Sequence, residues 1–442
     1  MNRSKYSALK ALSFSILLSA PALPALAQQT KNLSLNEAIS LAVKSSGQLK
    51  IASAKVDEAA ANTRQAKDNQ LPDLKVSGSY LRLNSPDVAL KVKLGSGSGG
   101  GGGVKVDQLG YAMANASLPI FSGFRVKYGI ESAKYLEQAA KLDAESSKDE
   151  VVMNVVYAYS NLFKAQNTVD LVKENLQREV QRVTDFTDLE KNGIIARNDL
   201  LKAKLQESNI ELTLLDAENN LIIATANMNL MLGLPMETAL KTDNTILENN
   251  STDAGLAQWE QNALKNRKDM EALTYKEKAT ETSIKMAKGE YYPGLAVTGG
   301  LIAADVPNLL TINNALNVGL GLQYNIATLW KTKAKVDGAN ARLHELQATK
   351  GIMNDQIRLQ INQAYYNYLL ATKKIEVYAK AIDQANENYR ITKDKYDNKL
   401  ATTTDLLDAD VAQLQSQLNY SFSKVDAIVA YKKLQQAAGQ LQ

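Results

Sequence analysis

The sequence predicts a mainly α-helical chain with transmembrane β-structure, organised as an internal tandem repeat. Three observations carry this reading. Residues 122–191 and 328–399 each run roughly 70 residues without proline, long enough for helices on the order of 100 Å. Between Leu316 and Ile326, the apolar residues Leu316, Val318, Leu320, Leu322, Tyr324 and Ile326 alternate with Asn317, Gly319, Gly321, Gln323 and Asn325. That period of two marks a strand with one apolar and one polar face. Finally, Leu71-Pro72-Asp73-Leu74 aligns with Tyr292-Pro293-Gly294-Leu295, and the stretch from Asn192 to Leu201 aligns with that from Asn398 to Leu407.

Taken in order, residues 1–27 read as a secretory signal peptide: basic Arg3, Lys5 and Lys10, an apolar run from Ala11 to Ala20, and the small-residue site Ala25-Leu26-Ala27. Residues 28–232 form the first repeat, with a helix over about 35–70, strands over about 73–120, the long helix 122–191 and a return helix 197–232. Residues 233–255 make an excursion at mid-height. Residues 256–442 form the second repeat, with helix 256–289, strands over about 293–327, long helix 328–399 and return helix 402–438. The shorter helices are about half the long-helix length, so two stacked end to end match one long helix. On that basis 197–232 with 256–289 flank one long helix, and the first and last helices flank the other.

Along the second long helix, Ile375, Tyr378, Ile382, Ala385, Tyr389, Thr392 and Tyr396 step by three and four. Their counterparts in the first are Val169, Val172, Leu176, Glu179, Val183, Phe186 and Glu190. A sustained 3.5-residue repeat is a coiled-coil seam. Four strands cannot close a barrel, since the smallest membrane barrels have about eight, so the membrane reading requires an oligomer. Tyr111, Tyr291, Tyr292, Tyr324 and Trp330 lie near strand ends, as an aromatic girdle would.

Composition excludes several classes. The 51 basic and 47 acidic residues give +4, and loss of Arg3, Lys5 and Lys10 with the signal peptide takes this to +1, so no nucleic-acid partner is expected. There is no cysteine, and the single histidine, His344, sits in a surface-like stretch. No catalytic residue, metal site or cofactor is expected. The run from Gly95 to Gly100 matches G-x-G-x-x-G, but no helix start follows, so it reads as a flexible barrel loop on the cell-exterior side.

The chain resembles the TolC-family outer-membrane efflux proteins. The resemblance rests on Leu33-Ser34-Leu35-Asn36-Glu37-Ala38-Ile39, on Pro72 and Pro293 before strands, on Pro119-Ile120-Phe121-Ser122-Gly123 before the long helix, and on the duplicated tips. It implies a homotrimer whose twelve-stranded β-barrel, four strands per chain, continues into a twelve-helix periplasmic tunnel. It also implies outer-membrane lipid around the barrel, and a periplasmic adaptor that contacts the helical tips and passes on substrate from an inner-membrane transporter. Asp405 and Asp408 match acidic positions that line the closed entrance, and Tyr396 matches a position in the links that hold it shut. The basic partner of that link falls near Ala401, which cannot serve, leaving Lys399, Lys395 or Arg197 as substitutes.

Asp405 also fits a capping arrangement with Thr402 at a helix start. Asp199 is its counterpart in the first repeat, with Lys202 in place of Asp408, and reads chiefly as a helix-start acid. The expected adaptor-contact surface comprises Gly193, Ile194, Ala196, Asp199 and Leu200 with Leu400, Thr402, Thr403 and Leu406; burial between the helices is the competing reading for its leucines and isoleucine. The competing architecture is a trimeric coiled-coil scaffold or adhesin without transport, which would normally carry one continuous seam rather than repeated reversals.

Overall fold

In the computed structural model, residues 31–84, 86–88, 104–243, 254–307 and 309–441 are described. The signal-peptide segment and the glycine loop lie outside them. A short strand β1 (Lys31–Leu33) leads into α1 (Leu35–Ser45) and α2 (Gly47–Asp68). Strands β2 (Asp73–Arg82), β3 (Asp87–Val88), β4 (Val104–Lys105) and β5 (Gln108–Phe121) precede the long α3 (Arg125–Lys191) and its return helix α4 (Arg197–Leu232). After β6 (Leu240–Thr242) come α5 (Leu256–Asn266), α6 (Lys268–Lys288), β7 (Gly294–Val306), β8 (Leu310–Gln323), the long α7 (Thr328–Asp397) and α8 (Thr403–Ala437). At 67 and 70 residues, α3 and α7 extend about 100 Å and about 105 Å.

Each of the two helices expected over 35–70 and 256–289 is broken. The first stops at Ser46 (φ −54°, ψ 119°), whose hydroxyl accepts the Leu49 N–H and so restarts the helix as α2. The second stops at Arg267 (φ −67°, ψ 122°), whose side chain ties Asp269, Gln360 and the Ala437 carbonyl together. Helix α3 begins at Arg125 rather than 122 because Gly123 and Phe124 both adopt left-handed backbone (φ 65° and 62°). Just before it, the β5–β7 register slips between Pro119 and Phe121, where proline has no N–H for the ladder.

The main sheet is antiparallel in the order β2-β5-β7-β8. Its register lines up Val76, Ala114, Leu301 and Leu316 across all four strands, and beside them Leu74, Ala116, Gly299 and Val318. The intervening rung is Lys75, Asn115, Gly300 and Asn317. One face is therefore apolar and the other polar, and the apolar face is open: Val76 is 86% exposed and Leu320 78%. Tyr291, Tyr292, Tyr324 and Trp330 sit at the helix-side end of the sheet, whereas Tyr111 pairs with Ala304 toward the opposite end. No described helix is long and apolar enough to cross a membrane.

At mid-height, the seven residues 233–239 between α4 and β6 return the chain to its start: β6 pairs in parallel with β1, Lys31 opposite Leu240 and Leu33 opposite Thr242. The buried Tyr159 hydroxyl fixes this pair, donating to the Leu33 carbonyl at 2.7 Å. Two cores meet here. Leu33, Ala42, Ala158, Leu162 and Met228 belong to one, and Ala263, Ala364, Tyr368 and Leu434 to the other. The second set occupies positions offset from the first by the same 221 or 206 residues that relate the sequence motifs.

Helices α4 and α6 both pack along α3, as the stacking argument expects. The second expected pair does not form within one chain: α8 packs on α7, but α2 packs on α3. On α7, every predicted seam position from Ile375 to Tyr396 is half-buried. On α3, the predicted seam positions Val169, Val172, Glu179 and Phe186 are buried and Leu176, Val183 and Glu190 half-buried, and Asn175 and Arg182 are buried beside them. The seam on α3 is thus widened by two polar residues, Asn175 and Arg182.

Candidate functional site at the helical tips

Helices α3 and α7 end in the same way. Asn192 and Asn398 each donate a side-chain N–H to the carbonyl four residues back, Asp188 and Asp394, both at 2.7 Å. The next residues, Gly193 and Lys399, take left-handed backbone (φ 70° and 60°). Ile194 N–H then reaches back to the Leu189 carbonyl at 2.9 Å, and Leu400 N–H to that of Lys395 at 2.7 Å. These reversed bonds satisfy carbonyls that the helix ends would leave bare.

The return helices start differently. Thr402 and Asp405 form a reciprocal capping box: the Thr402 hydroxyl accepts the Asp405 N–H at 3.2 Å, and the Asp405 carboxylate accepts the Thr402 N–H at 2.8 Å. These bonds from Thr402 hold the Asp405 carboxyl below the usual aspartate range. Ala196, the counterpart of Thr402, offers no side-chain cap. Lys202 lies 3.6 Å from Asp199 and donates to Thr404 Oγ1 at 3.2 Å, bringing the first turns of α4 and α8 together.

Of the residues singled out at the tips, Gly193, Ile194, Ala196, Leu400 and Thr402 are exposed, with Leu400 at 77%. Asp199 is half-buried. Leu200, Thr403 and Leu406 are buried within the chain and support the tip from inside. Asp405 and Asp408 are both exposed on α8. Tyr396 stacks on Phe186, ring centroids 5.6 Å apart and nearly parallel, against a small core of Phe186, Leu200 and Ala203. That burial pushes its phenol above the ordinary tyrosine value, with the Asp199 charge adding to the effect.

A buried polar cluster sits about 15 Å up α3 from the tip turn. Arg182 pairs with Glu179 on its own helix, reaches Asp410 on α8 at 3.4 Å, and donates to the Tyr389 hydroxyl on α7 at 3.2 Å. Asn175 donates to the other Asp410 oxygen at 2.8 Å. Reading the sequence for the basic partner of Tyr396 pointed to Lys399, Lys395 and Arg197, all beside the turn. Arg182, on a different helix, bears weakly on the Tyr396 phenol and opposes its upward shift. The one signal for this cluster in the sequence is Glu179 itself, an acid at a seam position.

The outer membrane efflux protein family model matches residues 38–234 and 259–440, both halves of the molecule. The chain belongs to this family. A search of curated protein sequences finds no match. Among solved structures, the chain is similar to the outer membrane protein VceC of Vibrio cholerae, with 18% identity and TM-score 0.75 over 92% of this chain and 96% of that one. It is also similar to the CmeC outer membrane channel of Campylobacter jejuni, at 17% identity and TM-score 0.77 over 92% and 85%. A third, the open state of the MtrE outer membrane channel of Neisseria gonorrhoeae, shares 16% identity and TM-score 0.72 over 92% and 89%. As an outer membrane efflux protein the molecule resides in the outer membrane, with its long helical body in the periplasm. The apolar sheet face and the pair of long helices acquire a common purpose in that setting.

Proposed function

We propose that three copies assemble into one outer-membrane exit duct, a twelve-stranded barrel continuous with a twelve-helix periplasmic tunnel. The observation that carries this reading is the four-stranded sheet, whose apolar face is open and whose edge strands β2 and β8 have no outer neighbour among the described residues. Unpaired backbone polar groups are not tolerated in lipid, so such a sheet must close with further copies. The helices support the same closure. Toward the tips they lie in the order α4, α3, α8, α7. Both outer helices keep apolar stripes in the open: Leu205, Leu212 and Leu215 on α4, and Leu370, Val377 and Ile391 on α7. Joining α7 of one copy to α4 of the next covers both stripes.

In this assembly the protein is a passive conduit of a tripartite efflux or type I secretion system. An inner-membrane pump supplies the energy, and a periplasmic adaptor docks on the exposed tip residues Gly193, Ile194, Leu400 and Thr402. Asp405 and Asp408, one helical turn apart, place six carboxylates around the narrowed entrance, where acidic rings favour cations. Tyr396 holds the tip closed against Phe186.

Native mass in mild detergent, followed by single-channel recording in planar bilayers, tests the reading. A three-chain mass with small, cation-selective conductance steps is expected. A folded, non-conducting monomer would overturn it and favour the coiled-coil scaffold.

A further inference from the structure

Three charged side chains are withdrawn from water between the two helical hairpins. Glu179 is fully buried, Asp410 is 1% exposed and Arg182 9%. Three helices contribute: α3 supplies Asn175, Glu179 and Arg182, α7 supplies Tyr389, and α8 supplies Asp410. One guanidinium thus serves two carboxyls. The neighbouring cation on α3, Arg178, pairs through Nη1 with the exposed Glu174 at 3.1 Å; its charge also bears on Glu179, but it donates no hydrogen bond to either buried carboxyl. Arg182 is the cation bonded to the two carboxyls, so that bonded set is neutral when one of them is protonated.

The hydrogen bonds point the same way. Glu179 Oε1 meets Arg182 Nη1, and both Asp410 oxygens have donors, but Glu179 Oε2 is buried with no partner. A bare buried carboxylate oxygen is costly, whereas a protonated one supplies a donor of its own beside the Asp410 carboxylate. We infer that Glu179 and Asp410 hold one proton between them in the closed duct, and that its release loosens the junction between the α3/α4 and α7/α8 hairpins, making the cluster a pH-sensitive clasp.

Titration of Glu179 agrees with this geometry. Burial moves its carboxyl up to about 7, with Arg182 opposing the shift and Asp410 reinforcing it. An acid raised in this way favours the packed state most fully below its ordinary value of about 4.3, and that advantage is lost as pH climbs through the raised value. The groups facing it are Arg178 and Arg182 from its own helix, Asp410 from α8 and, through Arg182, Tyr389 from α7. Helix α4, placed alongside by the Lys173–Glu218 ion pair, brings buried Ile210 and solvent-exposed Glu211 to this level.

The clasp rests on the duct reading only for its consequence in transport, so its test uses no conductance. Infrared difference spectra across about pH 5 to about pH 9 should show a protonated-carboxyl band that disappears near neutrality and is missing from Glu179→Gln. The chain has no cysteine, so nitroxide labels at Thr184→Cys on α3 and Ala412→Cys on α8 report the hairpin separation directly. The label distance should lengthen over the same pH range, and stay at its low-pH value in Glu179→Gln. Asp410→Asn, which leaves Glu179 alone with Arg182, should shift the transition to lower pH and serves if Glu179→Gln does not assemble. A band that persists in Glu179→Gln, a transition unmoved in Asp410→Asn, or a label distance that ignores the titration would each overturn the inference.

Discussion

Gly123 and Gly289 stand backbone to backbone where the sheet passes into the helices: a Cβ on Gly123 would lie 2.1 Å from the Gly289 carbonyl oxygen, and a Cβ on Gly289 2.4 Å from that of Gly123. The contact fixes the start of α3 against the end of α6. Gly289 has ordinary helical backbone (φ −59°), so Gly289→Ala tests the steric fit alone. It should cost about 1–3 kcal/mol, the range for overpacking at a rigid contact, and lower the melting temperature of the detergent-solubilised protein. Gly123→Ala should cost more, because its φ of 65° adds backbone strain to the same clash.

The duplicated tip turns differ at one position. Gly193 meets the left-handed requirement without penalty, whereas Lys399 meets it with a side chain. Lys399→Gly should stabilise the α7–α8 turn by about 1 kcal/mol, read as slower amide exchange at Lys399 and Leu400. Gly193→Lys should have the opposite effect on the α3–α4 turn. Equal exchange in all forms would show that the turn opens with the whole hairpin and not on its own.

The open stripes on α4 and α7 make a prediction about assembly. Leu212 is 61% exposed and Val377 56%, so a charge at either is tolerated by the single chain. Leu212→Asp and Val377→Asp should keep the helical circular dichroism signal yet shift the native mass from three chains toward one, since burying an unpaired carboxylate at an interface is strongly unfavourable. A full-size assembly in both variants would place the chain-to-chain contact elsewhere.

The two exposed acids of α8 should not behave alike. Asp405 is committed to Thr402 through the capping box, whereas Asp408 lies exposed on the next turn. Replacing both by Asn should weaken cation selectivity and block by multivalent cations in bilayer recordings, with Asp408→Asn alone giving most of the loss. The pH dependence of the cap has a definite sign. Asp405 is held below the ordinary aspartate value, so its support of the α8 start is present above that value and lost as pH falls through the lowered one. Protection of the Thr403 to Leu406 amides, taken relative to their intrinsic exchange at each pH, should therefore fall in acid, and Thr402→Ala should remove that acid dependence.

The sequence by itself determined the features whose cause lies within a few residues or within one period. Alternation from Leu316 predicted the strand and its two faces, the three-and-four steps from Ile375 to Tyr396 predicted the half-buried side of α7, and the Thr402–Asp405 spacing predicted the capping box. Each is set by local geometry, so residue type and spacing are enough to read it. Only the tertiary structure decided what joins distant segments: the β1–β6 pair linking residues 31–33 to 240–242, the helix break at Arg267 stabilised by contacts with Gln360 and Ala437, and the meeting of Glu179 and Arg182 with Asp410. The seam repeat marks Glu179 for burial, but nothing local shows what it meets there. Its character comes from Asp410, more than 200 residues away, and from the helices that shut out the water that would otherwise solvate the charge.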